Sequence, residues 1–346
     1  MKQLIISAAL ICVALSACSD DCNISAKEMK GIVITPSDLK NLDWPSIAQK
    51  SGINTIGLAV NPLHADSFSK SESYLDFLAA CHEKGIDVEF QQHAMNEFLP
   101  RELFKKDSTM FRMDDNGRRT PDFNCCVHSE KALKIIADNA ENFARRLVPT
   151  NHRYYFWTDD VGNICKCPKC INYSGSDQAL IIENTILEAI RKADPEAMLA
   201  HLAYRRTLPA PEKIKPADGI FLEFAPFFRI FDKPMSDTTA VFHANATREI
   251  SMSHNENMKY LKDNLEVFPA ETAVILDYWL DVSLFSDWKK PNMAPIPWNS
   301  HVVKEDIRTY RSLGINHITS YGVWIDHDYL KKFPETYNYI KEYGNL

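Results

Sequence analysis

The chain has 346 residues, 45% of them apolar, enough to bury a sizeable core as one large domain or two ordinary ones. Its net charge of −7 comes from mixed-sign charges spread along the sequence. No basic run stands ready to neutralise a phosphate backbone, which argues against a nucleic acid as partner.

Met1 and Lys2 are followed by an apolar run, Leu4 to Leu15, and then by Ser16-Ala17-Cys18: a charged start, a hydrophobic stretch and small residues before a cysteine. The run is too short for a membrane span. It resembles the lipobox of bacterial lipoproteins, which implies that residues 1–17 are a signal peptide, that Cys18 carries a lipid anchor, and that Cys12 leaves with the signal. Ser19-Asp20-Asp21 resembles the surface-export signal of Bacteroidetes lipoproteins, so the expected location is the outer membrane, at the cell surface or on its periplasmic face. An ordinary secretory signal with a chance cysteine is the alternative. Residues 18–30 then form a tether, and 31–346 one domain.

Along that domain, short β-branched or aromatic runs alternate with amphipathic stretches, the pattern of parallel strands joined by helical crossovers. Eight strands are predicted: Gly31–Thr35, Asn54–Val60, Asp87–His93, Arg153–Thr158, Ala197–Tyr204, Gly219–Phe224, Ala273–Trp279 and His317–Val323. Helices are expected at Trp44–Lys50, Ser73–Lys84, Ser129–Leu147, Asp177–Ala193, Asn255–Asn264 and His301–Leu313, several closing on a glycine. Eight such units fit an α/β (β/α)8 TIM barrel better than an open doubly wound sheet, whose glycine-rich phosphate turn is missing. In a barrel the long segments after strands three, four, six and seven gather on the C-terminal face, where sites are built.

Strand four ends in Thr158-Asp159-Asp160 and leads into Cys165-Lys166-Cys167-Pro168-Lys169-Cys170. This segment resembles the strand-four signature of a Bacteroidetes family, domain of unknown function 4838: an aspartate, a short turn, then Cys-x-Cys-x-x-Cys. Phe98 to Phe104, Phe111-Arg112-Met113, Gly117-Arg118, Asn124-Cys125 and Leu202-Ala203-Tyr204 support the likeness, which covers roughly Phe98 to Arg205. The family is similar to the catalytic barrels of α-glucuronidases and hexosaminidases, which implies glycan processing. Its larger members carry an N-terminal β-domain; here almost nothing precedes the first barrel strand, so their accessory carbohydrate contacts are not expected.

The residues themselves support acid–base chemistry, because glycosidic cleavage needs one carboxyl to protonate the leaving oxygen and another to support the oxocarbenium charge. By analogy with hexosaminidases, Asp160 is the expected proton donor and Asp159 the neighbour that positions the substrate, although the donor in those enzymes is usually Glu. The partner is expected to be Asp277 or Glu223, each interrupting an apolar strand where a carboxylate is costly unless paired or facing a polar mouth. Asp277 is the favoured choice. Pairing with an Arg or Lys in the barrel wall is the competing reading of both, and capping of the following turn, or binding of a cation, that of the two adjacent aspartates. His93, His201, Tyr204, Tyr278, Trp279, Tyr321 and Trp324 are the expected sugar-binding residues, since sugars lay C–H faces on aromatic rings. Core packing is the plainer alternative for each.

Disulfides, favoured by an oxidising compartment, are one reading of the cysteines; a closed structural zinc site on Cys165, Cys167 and Cys170, with Cys125, Cys126 or His128 as a fourth ligand, is the second, and a redox or catalytic thiol the third. No cofactor is expected in catalysis. The overall expectation is an exported glycoside hydrolase of carbohydrate metabolism, suited to polysaccharide utilisation and acting on an oligosaccharide or polysaccharide. A non-catalytic glycan-binding lipoprotein is the main alternative, and a metal-dependent hydrolase using His93, His201 and the aspartates as ligands a third.

Overall fold

The computed structural model describes residues 28–160 and 163–346. Eight strands close into a barrel: Met29–Ile34, Thr55–Ala59, Asp87–His93, Arg153–Trp157, Met198–Ala203, Ile220–Phe224, Val274–Asp277 and His317–Tyr321. Every pairing around the ring is parallel, and the first strand closes on the eighth through Met29↔His317 to Val33↔Tyr321. The protein is therefore a (β/α)8 barrel, as its alternating pattern predicts. The expected signal peptide, with Cys12, and the expected anchor Cys18 lie outside the described residues.

Among the described residues, seven substantial helices wrap the ring: Trp44–Ser51, Glu72–Glu83, Glu130–Ala144, Gly175–Ile190, His254–Leu265, Ser300–Ser312 and Thr336–Gly344. Strands five and six are joined instead by an extended segment opening on the short turn Arg205–Thr207. The last helix carries few apolar residues, and no pattern announced it. It packs on the first helix, and its Tyr343 hydroxyl reaches inward to donate to the carbonyls of Gly31 (2.8 Å) and Ile318 (3.1 Å).

Strand side chains alternate between the barrel interior and the surrounding helices. The paired residues Leu202↔Glu223 and His93↔Trp157 point inward, so their sequence neighbours His201 and Phe156 point outward. The interior is polar below the mouth: Tyr155 Oη donates to Glu89 (3.1 Å), Asn151 Nδ2 donates to the same carboxylate (2.7 Å), and the Arg153 guanidinium lies 3.9 Å from the centre of the Phe221 ring. Glycine serves one close approach. A Cβ on Gly175 would collide with the Arg206 carbonyl, so only glycine lets the helix that follows the cysteine loop abut the turn carrying Arg205.

Candidate active site

At the C-terminal mouth lies a cavity of about 420 Å³, within the range of small-ligand sites. Asp160 enters it from the end of strand four and Asp281 from the loop after strand seven. Trp157, Tyr204, Phe227, Tyr278, Trp288 and Tyr321 supply its aromatic lining. Tyr278 and Tyr321 stack with ring centres 5.3 Å apart and planes at 25°.

The two carboxyls sit in different surroundings. Asp160 has a side chain 58% exposed, with His93 Nε2 and Arg205 Nε each 3.9 Å from its Oδ1. Arg205 is held at the mouth by a backbone in the left-handed region (φ 51°), by its bond to Tyr204 Oη (3.0 Å) and by an ion pair with Glu249. Asp281 is 4% exposed. Its Oδ1 caps the short helix Val282–Phe285, accepting from Ser283 N (2.9 Å), Ser283 Oγ (2.6 Å) and Leu284 N (3.3 Å). Burial outweighs these bonds and pushes its pKa up to about 6. Burial first, and then neighbouring groups that include Asp281 and Asp160, push the Tyr278 and Tyr321 hydroxyls well above the ordinary phenol range.

A model of the family described as domain of unknown function (DUF4838) matches residues 64–343, most of the chain. The chain belongs to the DUF4838 family. No curated protein matches it. Among solved structures it is similar to a β-galactosidase from the psychrophilic Marinomonas ef1, at 12% identity and a TM-score of 0.52, over 86% of this chain and 54% of that one. The chain thus spans about half the length of that neighbour, and the likeness is one of fold. A GH20 catalytic module of the pneumococcal exo-β-D-N-acetylglucosaminidase StrH aligns at 9% identity and TM-score 0.47, covering 93% and 83% of the two chains. A GH5-4 broad-specificity endoglucanase from an uncultured bacterium aligns at 12% and 0.47, covering 87% and 83%.

In this DUF4838 barrel the residues expected at the site separate by the face their strand gives them. Asp160, His93, Tyr204, Tyr278 and Tyr321 line the cavity. Asp277 does not: Leu276 and Tyr278 face inward, so Asp277 points into the helix layer and the expectation of a partner carboxylate there is corrected. It is fully buried against Arg229 Nη1 (2.9 Å), Tyr310 Oη (3.0 Å) and the Tyr278 amide (2.8 Å), with Asp306 completing the group through Arg229 Nη2 (2.7 Å). Trp279 follows it outward and donates to Asp306 Oδ2 (3.0 Å). His201 likewise faces out, bonded to Glu183 (2.7 Å) and stacked on Phe268. With His93 inside the ring and His201 outside, the two cannot share a metal. Trp324 stands beside the first strand's loop, its amide donating to Asp38 (3.3 Å), and is not part of the lining.

Glu223 points inward but lies beneath the cavity, accepting from Trp157 Nε1 (2.6 Å), and burial holds its carboxyl well above the usual range. Asp159 turns away from the mouth. Arg101 Nη2 (2.5 Å) and the Asn124 amide both donate to its Oδ2, while Asn124 Oδ1 accepts from the Asp159 amide (2.8 Å). It fastens the long third loop to strand four, which corrects its expected role beside the substrate. Asp281, Phe227 and Trp288 were missed. Asp281 sits past the strand end as the first residue of an Asp-x-Ser cap, a signal that reads as ordinary helix capping.

Cys126, Cys165, Cys167 and Cys170 are all buried, and their sulfurs lie within 4.8 Å of one another, an arrangement that could hold a metal ion. All are free thiols, as is Cys125, which faces a separate small cavity with Asn124, Thr158 and Gln178.

Proposed function

We propose that the protein is a glycoside hydrolase whose catalytic pair is Asp160 and Asp281. The single observation that carries this reading is that two carboxyls with opposite surroundings, one exposed beside the Arg205 guanidinium and one buried in an aromatic wall, enter one sugar-sized cavity from the ends of separate strands of the barrel. Asp281, held near 6 by burial, keeps a proton where most carboxyls have lost theirs and donates it to the leaving oxygen. Asp160 faces the developing oxocarbenium charge or the attacking water. This exchanges the role expected of Asp160 from the sequence. The Tyr278–Tyr321 stack, Trp157 and Trp288 take the apolar faces of sugar rings, while His93, Tyr204 and Arg205 meet hydroxyls. The reaction so written uses no cofactor.

The substrate is an oligosaccharide or polysaccharide outside the cytoplasm, met by a chain anchored to the outer membrane through a lipid on Cys18. Metabolic labelling with a fatty acid is expected to mark the wild type and not Cys18→Ala; equal labelling of both would remove the anchor.

The aromatic share of the lining favours one second reading, a protein that binds glycans without cleaving them. A hydrolysis screen over host and plant glycans separates the two. The wild type is expected to release product from at least one, and Asp160→Asn and Asp281→Asn each to lose about 10²-fold or more in kcat. Saturable binding with no product from any glycan would leave the binding reading in place.

A further inference from the structure

We infer that Cys126, Cys165, Cys167 and Cys170 form a closed tetrahedral site for one zinc ion, independently of any activity at the barrel mouth. Four thiolates about 2.3 Å from a central zinc stand about 3.8 Å apart along the edges of their tetrahedron. Cys126 Sγ lies 3.8 Å from Cys167 Sγ and 3.8 Å from Cys170 Sγ. These spacings are those of ligands around an ion and nearly twice the ~2.05 Å of a disulfide.

The sequence left three candidates for the fourth ligand, and the geometry chooses among them. Cys125 points into a different cavity. His128 places Nδ1 3.2 Å from Cys170 Sγ, in position to hydrogen-bond a thiolate that already belongs to the ion. Cys126 alone completes the four.

The surroundings suit a cluster of net charge −2, which four thiolates and one divalent cation make. The Met113 amide donates to Cys165 Sγ (3.3 Å), and Arg119 brings a guanidinium to the same sulfur (3.6 Å) while its Nη1 also donates to the Phe111 carbonyl (2.6 Å). Donors of this kind orient ligands and offset their charge. With all four thiols buried and no ligand position left for substrate, the ion is structural. It clips the third βα loop, through Cys126, to the fourth, through the other three cysteines. The fourth loop, which follows Trp157, also carries Asp160, so the ion braces the loop bearing that carboxylate.

The test is metal content and cobalt spectroscopy on the full chain. One zinc per chain is expected in protein purified without chelator. Cobalt(II) replacing it should give tetrahedral d–d bands with intense thiolate charge transfer, unchanged in Cys125→Ser and reduced in Cys126→Ser. Stripping the metal should lower the thermal midpoint by several degrees, and re-adding zinc alone should restore it. Should Cys126→Ser not fold, the wild-type stoichiometry and the Cys125→Ser spectrum still decide. Substoichiometric metal, a cobalt spectrum without thiolate charge transfer, or disulfides joining these four cysteines in the native protein would each overturn the site.

Discussion

Trp288 shows what one residue contributes to this mouth. It and Asp287 both adopt left-handed backbone (φ 53° and 49°), a conformation costly for side chains of their size, and the result is a ring 42% exposed at the rim of the cavity, 6.1 Å from Phe227. A solvated aromatic held at such a cost suits a platform for a sugar outside the cleavage point. Trp288→Ala is therefore expected to raise KM about tenfold, the loss of roughly 1.4 kcal/mol of stacking, with kcat nearly kept. A fall in kcat at constant KM would move Trp288 into the chemistry. Asp281 carries a second cost. Its folded value of about 6 exceeds the unfolded 3.8, so the stability it contributes is complete below pH 4 and is lost as pH rises through 6. Asp281→Asn keeps the capping oxygen, removes the buried charge, and should raise the thermal midpoint at pH 7 while leaving it unchanged or lower at pH 4.

Among elements, the loops rather than the strands decide the site, and they were also the less legible part. Strand positions follow from the short β-branched or aromatic runs, and all eight predicted strands overlap the observed ones. Which face a polar strand residue takes is a matter of register, and a single strand does not carry it; Asp277 and Trp279 looked like mouth residues yet point outward beside inward Leu276 and Tyr278. The Arg101–Asp159–Asn124 clasp joins three segments, 58 and 35 positions from Asp159, that no local pattern connects. It has a measurable signature. Asp159→Ala leaves a mostly buried guanidinium and a backbone amide without their acceptor, and should cost about 2–4 kcal/mol in chemical denaturation. A loss below 0.5 kcal/mol would show that the third loop is held elsewhere.

At the scale of the whole molecule, the barrel keeps the charges packed among its helices apart from those at its mouth. Arg229, Asp277 and Asp306 are fully buried outside the ring, where removing one carboxylate strands its partner, whereas Asp160 and Asp281 line the cavity at the open end. Asp277→Asn should accordingly lower stability by a few kcal/mol while the folded fraction turns over at the wild-type rate. The most direct measurement is kcat against pH on a glycan the wild type hydrolyses, for the wild type, Asp281→Asn and Asp277→Asn. The wild type and Asp277→Asn should share a limb that falls as pH rises past about 6, the value burial gives Asp281, and Asp281→Asn should lose both that limb and most of its turnover. Wild-type turnover in Asp281→Asn, with the falling limb intact, would contradict the assignment of Asp281 as proton donor.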